Sequence, residues 1–151
     1  MGTAVSVEFY SIDEIPDKFL KYAVIMARYK EKWIFVRHEN RDTYEIPGGR
    51  RELVESIDDT ANRELREETG ACEYRIVPVC IYAVMWDGEP SYGALYFAEI
   101  LELQPLPAES EIFEISFFDT LPDKLTYEAI QPALFEKVHI WFEENTKGDK
   151  K

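Results

Sequence analysis

The sequence predicts an α+β fold in which a mixed β-sheet is sandwiched between helices. Short runs rich in β-branched and aromatic residues occur in pairs before and after a capped amphipathic segment, and a second segment of helical period follows the last run. This order of elements favours helices on both sides of the sheet. Since 151 residues are enough for one core, we expect a single domain over residues 1–151.

The first two strands are predicted to form a hairpin. Tyr22 to Ala27 and Trp33 to Arg37 are short apolar runs rich in β-forming residues, and residues 29–32 separate them. The Pro47-Gly48-Gly49 segment follows. Proline and glycine are the residues that most often interrupt regular structure, so we expect neither a strand nor a helix at this segment.

A helix is predicted to begin near Ile57. Ser56 suits the N-cap position and Asp59 stands three residues later, which is the pattern of a capping box. Gly70 supplies the end of the helix. The apolar residues of this segment recur every four positions and form a narrow stripe that must face the core: Ile57, Ala61 and Leu65.

A long hairpin and one further strand are predicted next. Val77 to Trp86 and Ser91 to Leu101 flank Asp87-Gly88-Glu89-Pro90, a turn-like segment, and both runs contain several aromatic residues. Ile112 to Phe118 has the composition of another short strand. These runs complete the predicted sheet.

The last predicted element is a helix that packs on the sheet. Thr126 with Glu128 suits a helix start. Gly148 to Lys151 is a polar end that we expect to fray. The apolar residues at helical spacing after Thr126 are Ile130, Leu134, Val138, Trp141 and Phe142.

Composition and charge exclude several classes of protein. Apolar residues make up 46% of the chain and charged residues 31%, which is typical of a globular protein and not of a disordered one. The formal charge of −13 would repel a nucleic-acid backbone, so we expect no polymeric DNA or RNA as a partner. A small phosphorylated substrate meets the same repulsion unless a cation lies between it and the carboxylates, which favours a divalent metal.

No segment predicts export or membrane insertion. The longest apolar stretch, Ile76 to Trp86, has about half the length of a bilayer span and is typical of a strand. We find no pattern of a signal peptide, so the expected location is the cytoplasm. Cys72 and Cys80 lack the spacing of a disulfide framework or a zinc site, and we expect both to be reduced thiols.

Three glutamates are predicted to share one face of the middle helix. Glu64, Glu67 and Glu68 stand at positions i, i+3 and i+4, which at about 100° per residue places their carboxylates together. Like charges at this spacing destabilise a helix, whereas Mg²⁺ prefers oxygen ligands. A solvated face, offset by Arg63 and Arg66, is the alternative. The neighbours that favour a metal site instead are Gly48, Gly49, Glu55 and Gly70.

The segment from Gly49 to Gly70 resembles the signature of the Nudix hydrolase family. That signature runs Gly, five residues, Glu, seven residues and then Arg-Glu-aliphatic-any-Glu-Glu-any-Gly-aliphatic, and Ala71 departs from its last position. The stretch Tyr44 to Gly49 is similar to the family's lead-in, and Lys32 to Val36 and Glu111 to Phe118 are similar to flanking strands. The matching residues are Gly49, Glu55, Arg63, Glu64, Leu65, Glu67, Glu68 and Gly70.

The resemblance implies a Nudix fold and a reaction, the Mg²⁺-dependent hydrolysis of a diphosphate bond in a nucleotide-like substrate, with Mn²⁺ as an alternative ion. It assigns Arg63 and Glu55 to orienting the metal glutamates. Glu68 is our first choice for the general base, while Glu64 can serve in some family members and Glu109 or Glu111 are alternatives. The metal ligands that it implies are Glu64, Glu67, Glu68 and the backbone carbonyl of Gly49.

Substrate contacts are predicted from basic and aromatic residues. Arg37, His38 and Arg41 are basic positions shortly before the Pro-Gly-Gly loop and can meet phosphates, although a solvated hairpin edge is the alternative. We count Arg37, Arg41, Tyr44 and Glu111 as candidate substrate contacts. Several aromatic residues can stack on a base or can simply belong to the core, and these are Tyr44, Trp86, Tyr92 and Tyr96.

Val54, Ala71 and the stretch His38 to Arg41 resemble a bacterial subgroup of 8-oxo-dGTP diphosphatases. Hydrolysis of ADP-ribose or of a dinucleoside polyphosphate is the alternative within the same chemistry. A Nudix module that binds nucleotides without cleaving them would lack signature residues, and an isomerase of the same fold would need a catalytic cysteine that neither Cys72 nor Cys80 is placed to supply. Strand edges and aromatic surface can support a homodimer.

Overall fold

The computed structural model describes residues 5–147, which form seven strands and two helices. A short 3₁₀ turn, Asp17–Phe19, precedes the second strand. The helices are α1, Ile57–Thr69, and α2, Gln131–Lys147. The strands are β1, Val5–Tyr10; β2, Leu20–Tyr29; β3, Lys32–His38; β4, Gly48–Arg50; β5, Ala71–Trp86; β6, Glu89–Leu103; and β7, Ile112–Phe118.

The strands form one mixed sheet in the order β1-β5-β6-β2-β3-β7, and β4 pairs with β2. Only the β2 and β6 pair is parallel among the described strands. On its other edge β2 pairs with β4 at Tyr22 to Val24 and with β3 at Arg28 and Tyr29 alone. The two strands of the first hairpin therefore diverge after the turn, and the chain before β4 enters between them.

Both predicted hairpins are confirmed, and each closes through a two-residue turn. Lys30 and Glu31 have φ angles of 48° and 69°, and Asp87 and Gly88 have φ angles of 50° and 85°. Positive φ at both central residues is the geometry that matches the twist of the flanking strands. The second turn is shorter than predicted, because Glu89 already belongs to β6.

Two hydrophobic clusters lie on opposite faces of the sheet, because successive side chains of a strand point to opposite sides. In β3, Ile34 belongs to the cluster that contains Ala61 of α1, while Phe35 belongs to the cluster that contains Val138 of α2. Each helix thus covers one face. The predicted α+β architecture, with a mixed sheet between helices, is confirmed.

The prediction that Pro47-Gly48-Gly49 breaks all regular structure is wrong at its glycines, since Gly48–Arg50 forms β4. The first half of β2 offers a free edge there, and the Ile25 N–H donates to the Pro47 carbonyl at 2.8 Å. A Cβ on Gly48 would collide with the carbonyl of Ala23. Glycine therefore allows the loop to approach β2 closely.

The last helix begins at Gln131 and not near Thr126. The Thr126 N–H donates to the Tyr44 carbonyl at 3.0 Å, which holds that segment against the chain before β4. The Gln131 N–H donates to the Tyr127 carbonyl, which forms a turn ahead of the helix. Pro132 then lies in the first turn of α2, where a missing N–H costs no helical hydrogen bond.

Strand β1 was not predicted, and it pairs with β5 from Val5 opposite Trp86 to Tyr10 opposite Ile81. Among residues 5–147, no helix is long and apolar enough to span a lipid bilayer. The predicted fraying of residues 148–151 concerns positions outside those that the structure describes. The extent of the domain over residues 1–151 stays a prediction.

Candidate active site

Helix α1 begins and ends as its sequence predicts. The Ser56 side chain accepts the Asp59 N–H at 3.0 Å, and the Asp59 carboxylate accepts the Ser56 N–H at 3.2 Å, so both parts of the capping box are formed. Gly70 ends the helix in the left-handed region with φ of 81°. With Leu65 turned into the core, the glutamates lie on the faces left free.

The Gly-Gly loop and α1 are in direct contact. The Gly48 N–H donates to Glu68 Oε1 at 2.9 Å. A Cβ on Gly49 would collide with the Glu64 carboxyl group, so only glycine allows the backbone to lie this close to that side chain. The loop and the helix therefore form one unit in which the backbone of Gly48 and Gly49 lies against the carboxyl groups of Glu68 and Glu64.

Arg63 contacts several acidic residues of the site at once. Its guanidinium donates to Glu55 Oε1 at 2.9 Å and to the Arg50 carbonyl at 3.1 Å, and it lies 3.4 Å from Glu67 Oε2. It also donates to Glu64 Oε1 at 2.5 Å. A planar guanidinium with several donors suits this role, because it can fix more than one carboxylate at once.

The contact with Arg63 sets the charge state of Glu55. Hydrogen bonds, first from Arg63 and then from the Glu52 backbone and the Thr60 hydroxyl, which donates to Glu55 Oε1 at 2.9 Å, together lower the pKa of Glu55 to about 2. The hydrogen bond to Glu55 in turn raises the pKa of Arg63. Both groups are therefore charged at any ordinary pH, and the pair acts as a permanent clamp.

Glu68 is the most perturbed carboxyl group of the site. Its exposed fraction is only 8%, and burial raises its pKa to about 8. The negative charges of Glu64, Glu45 and Glu111 raise the pKa as well, while the hydrogen bond from Gly48 opposes the shift. A buried group whose pKa is displaced by several like charges is typical of a functional site.

Glu64 and Glu67 have different surroundings. Burial raises the pKa of Glu64, and the hydrogen bond from Arg63 opposes that shift. Glu67 remains open to solvent, with 59% of its side chain exposed. Glu64 and Glu68 thus face the Gly-Gly loop, while Glu67 lies at the outer rim beside Arg63.

The residues present suit a hard divalent cation. Among residues 5–147, no three His, Cys, Asp or Glu side chains already gather into a cage of metal ligands. The donors offered here are oxygens, and desolvation raises the pKa of the half-buried Glu64 and of the buried Glu68, so a nearby cation would stabilise both carboxylates. Mg²⁺ needs only one or two carboxylates, since it keeps waters and takes phosphate oxygens. The donor set therefore fits this ion.

A cavity of about 340 Å³ opens beside the Gly-Gly loop. Gly48, Gly49 and Glu45 form part of its lining. Its volume is at the lower end of the range for small-molecule sites, and an apolar cavity beside a few polar groups is typical of them. The aromatic residues of its lining are Tyr22, Tyr82, Trp86 and Tyr127.

The basic candidates for substrate binding all have acidic partners. Arg37 Nε donates to Glu114 Oε1 at 3.1 Å, and Arg41 Nη1 donates to Glu45 Oε2 at 2.6 Å. Glu111 is exposed but lies near enough to Glu68 for its charge to raise that pKa. Glu109, the other late acid, is also exposed.

The aromatic candidates separate into two groups. Trp86 lines the cavity, whereas Tyr44 does not and packs edge-on against Phe118 at 5.1 Å between ring centroids. Tyr96 donates to Asp58 Oδ1, and Tyr92 packs against the ring of Tyr10. Of the four rings expected to stack on a base, only Trp86 lines this cavity.

Sequence reasoning missed Glu45 and Gln131, and for His38 it predicted a contact with phosphate and not with carboxylates. Glu45 is buried, and His38 Nε2 lies 3.6 Å from Glu45 Oε1 and 3.4 Å from Glu68 Oε2. Gln131 enters the cavity from the start of α2. Their positions depend on how β3 and α2 pack in three dimensions, and no local sequence pattern predicts this packing.

Comparisons with known proteins identify a family domain in this chain. The NUDIX domain matches residues 17–137. A Bacillus subtilis (strain 168) protein, YtkD, whose name provisionally assigns it as an 8-oxo-dGTP diphosphatase, is 32% identical over 109 residues, which cover 70% of this chain and 66% of that protein.

Solved structures show the same fold. A mutant of the Bacillus subtilis pyrophosphohydrolase BsRppH is similar with a TM-score of 0.73 and 25% identity, covering 91% of this chain and 90% of that one. The NUDIX domain of Shewanella oneidensis NrtR, complexed with ADP ribose, is similar with a TM-score of 0.63 and 19% identity, covering 86% and 94%.

The fold and the site define a class, the Nudix proteins, in which a Gly-Gly loop meets a glutamate-rich helix. The chain belongs to the Nudix family of pyrophosphohydrolases, because the domain match takes in residues 17–137 and includes the whole signature. The chain spans about two thirds of the length of YtkD, the curated relative that it matches. The predicted family is confirmed.

Proposed function

We propose that this chain hydrolyses a diphosphate bond in a nucleoside diphosphate derivative with the help of Mg²⁺, and that its substrate is a nucleoside triphosphate such as 8-oxo-dGTP. The observation that carries the proposal is the contact between the Gly48-Gly49 loop and Glu64 and Glu68 beside an aromatic cavity. Phosphates bound at the carboxylates would have an apolar pocket for the base next to them.

The residues at this contact have different roles in the proposed reaction. Glu64, Glu67 and Glu68, with the carbonyl of Gly49, would hold the ion, for which Mn²⁺ is the alternative. When bound, the ion supplies positive charge that neutralises phosphate oxygens and favours attack by water. Arg63 keeps the carboxylate of Glu64 in place and is itself held by Glu55.

Glu68 is the residue that we propose takes the proton from the attacking water. It is a buried carboxyl group beside the Gly48 loop, and a general base has to stand within hydrogen-bond reach of the water that it deprotonates. The Gly48 N–H fixes one of its oxygens and His38 lies beside the other. Glu111, exposed ahead of β7, is the alternative base.

The choice of a nucleoside triphosphate is supported by the likeness to YtkD. The alternative substrate is ADP-ribose or a dinucleoside polyphosphate, and the NrtR domain bound to ADP ribose shares the fold at 19% identity. A module that only senses nucleotides belongs to a different class. All the glutamates and the arginine of the signature are present, with Arg63 and Glu55 paired, which favours hydrolysis over sensing.

Turnover of a nucleotide panel tests the proposal. The panel contains 8-oxo-dGTP, dGTP, ADP-ribose and a dinucleoside tetraphosphate, each with Mg²⁺, with Mn²⁺ and with a chelator, and the nucleotide products are separated and measured by anion-exchange chromatography. We expect the highest kcat/KM for 8-oxo-dGTP and no turnover with the chelator. Faster turnover of ADP-ribose would move the substrate to the alternative, and tight binding without turnover would identify a sensor.

Two further expectations accompany this function. We expect the protein to act on free nucleotides in the cytoplasm. Given the net charge of −13, we expect it not to bind polymeric nucleic acid or membranes. A homodimer formed through the edge strands β1 or β7 is the second expectation. Light scattering after size-exclusion chromatography gives the mass that decides it.

A further inference from the structure

Three basic side chains near the Gly-Gly loop lack an acidic partner. Among residues 5–147, Lys18, Lys21 and Arg50 form no salt bridge. The chain has 30 acidic residues and only 17 basic ones, so unpaired cations gathered in one place require an explanation. Two of them lie over aromatic rings instead, Lys18 at 5.3 Å from the centroid of Phe19 and Arg50 at 6.0 Å from that of Tyr22.

The same three side chains line a cavity of about 500 Å³, which we call the basic cavity. Arg51 lines it as well, and so do Asp17 and Glu52. Both acids already have partners, because Asp17 Oδ2 accepts from Arg51 Nη2 at 2.8 Å and Glu52 Oε1 lies 3.9 Å from Arg63 Nη2. Four cations and two carboxylates give the lining a charge of +2 within a chain of −13, so anions are attracted to this cavity.

The strands hold these cations beside one another. Tyr22 of β2 pairs with Arg50 of β4, and the Arg51 N–H donates to the Lys21 carbonyl at 2.8 Å. Like charges on neighbouring strands destabilise a sheet. Arg51 is held by the Glu55 carbonyl, which accepts from its Nε at 2.8 Å, whereas Lys21 is exposed. An anion bound between the cations would offset their repulsion.

Arg50 connects the basic cavity to the site of the proposed reaction. It lines both the basic cavity and the aromatic cavity. Its carbonyl accepts from Arg63 at 3.1 Å, and it directly follows Gly49, whose backbone lies against the carboxyl group of Glu64. A nucleotide whose reacting phosphates lie at the glutamates of α1 is therefore next to the basic cavity.

We propose that the basic cavity is a second phosphate-binding site, which takes a phosphate group of the nucleotide other than the two joined by the reacting bond. Lys18 and Lys21 supply positive charge, and the guanidinium of Arg50 supplies a planar fork of donors that suits phosphate oxygens. The additional phosphate is either the terminal group of the 5′ chain or a group on the 3′ oxygen, since both have the same chemistry.

The substrate is accordingly a nucleotide that carries at least three phosphates. The inference rests on the proposed function, because it places the two reacting phosphates at the glutamates of α1. It assigns the selection of the additional phosphate to Lys18 and Lys21, which lie in the turn before β2 and at its start.

Binding of three guanosine probes tests the inference without turnover. In each probe a methylene group replaces every oxygen that bridges two phosphorus atoms. The probes are the 5′-diphosphate, the 5′-triphosphate and the 5′-diphosphate with an added 3′-phosphate, and calorimetry with Mg²⁺ measures their affinities. The double variant Lys18→Gln/Lys21→Gln is compared with Lys30→Gln/Lys124→Gln, which loses the same charge at exposed positions elsewhere.

We expect Lys18→Gln/Lys21→Gln to weaken binding of one of the two probes with an additional phosphate by about 5-fold to 30-fold, as the loss of two exposed charge contacts should. The probe that is weakened identifies the position of that phosphate. Binding of the 5′-diphosphate should not change, and Lys30→Gln/Lys124→Gln should match the unaltered protein with all three probes. The midpoint of thermal unfolding should stay the same, because both lysines are exposed.

Unchanged affinity of Lys18→Gln/Lys21→Gln for both probes with an additional phosphate would overturn the inference. Equal weakening of all three probes would also overturn it, because the lysines would then act only through the general field of the protein. Turnover separates this failure from that of the proposed function. Binding of an additional phosphate that depends on the two lysines, without hydrolysis of the nucleotide panel, refutes only the hydrolysis, and hydrolysis together with unchanged probe affinities refutes only the second phosphate site.

Discussion

Arg63 allows the carboxylates of the site to stand close together. It donates to Glu55 and Glu64 and lies near Glu67, so one guanidinium offsets charges from two different elements. A lysine in its place would keep the positive charge but would lose the fork of donors. The ionisation of Glu55 and Glu64 is favoured by a positive charge at this position, whereas their geometry depends on the guanidinium of arginine.

Replacing Arg63 with lysine is therefore expected to lower Mg²⁺-dependent turnover by about 10-fold to 100-fold and to raise the Mg²⁺ concentration required for half-maximal rate, as is usual when a group that orients metal ligands is changed. Arg66→Lys, at an exposed position of the same helix, is the matched control. If both variants respond to Mg²⁺ as the unaltered enzyme does, Arg63 has no positioning role.

The raised pKa of Glu68 predicts that the stability of the protein without metal depends on pH. Burial raises its pKa to about 8 in the folded state, whereas the unfolded value is 4.5. The folded state therefore holds this proton more tightly, so the stabilisation is fully present below pH 4.5 and is lost as the pH rises through about 8.

The measurement is the free energy of unfolding by urea with a chelator, at a series of pH values from 5 to 9, for the unaltered protein and for Glu68→Gln. We expect the glutamine variant to gain relative stability as the pH rises, because it has no carboxylate to ionise. Parallel pH curves for the two proteins would show that burial does not shift the pKa of Glu68.

At the scale of elements, the site is the meeting of a loop and a helix. The Pro47 carbonyl accepts the N–H of Ile25 in β2, and Gly48 donates to Glu68 in α1, so the loop is held from both sides. The divergence of β2 and β3 makes room for this arrangement. Gly49 is the point at which the two elements come closest.

Gly49→Ala is expected to abolish most of the turnover, because the new methyl group would displace the carboxyl group of Glu64. Gly88→Ala is the useful comparison: its φ of 85° makes alanine strained there, at a cost of about 1 kcal/mol, but a Cβ meets nothing within 4 Å. We expect Gly88→Ala to lower the unfolding temperature and to keep full activity. Full activity in Gly49→Ala would contradict the close contact.

Local signals predicted the elements well where the determinants lie within a few residues. The capping box of Ser56 and Asp59, the end at Gly70 and the strand Ile112–Phe118 were all predicted from neighbouring residues. The predicted start of α2 was wrong, because the Thr126 N–H donates to the carbonyl of Tyr44, a residue far away in the sequence. Strand β1 was missed although Val5, Val7 and Phe9 alternate with polar residues, the pattern of a half-buried strand.

The candidate site divides in the same way. The spacing of Glu64, Glu67 and Glu68 on one helix is visible in the sequence, and so is the family signature. The burial that raises the pKa of Glu68 and the entry of Gln131 into the cavity depend on packing between distant segments. Sequence reasoning therefore reached the glutamates of α1 and not the cavity lining that α2 contributes.

At the scale of the whole molecule, charge and site point to the same chemistry. A chain with a formal charge of −13 can attract a phosphorylated substrate only where positive charge is added, and the glutamates of α1 concentrate the need for a cation at one place. The Nudix fold presents that place beside an aromatic cavity. The central claim is that the glutamates of α1 hold the cation that makes hydrolysis occur.

Hydrolysis of 8-oxo-dGTP as a function of Mg²⁺ concentration, in the unaltered protein and in Glu67→Gln, tests that claim most directly. Glu67 is exposed at the rim, so its replacement should leave the unfolding temperature nearly unchanged. We predict that turnover falls by about two orders of magnitude or more, while Glu136→Gln, an exposed change on α2, has no effect. Turnover within a few-fold of the unaltered enzyme at all Mg²⁺ concentrations would contradict the account.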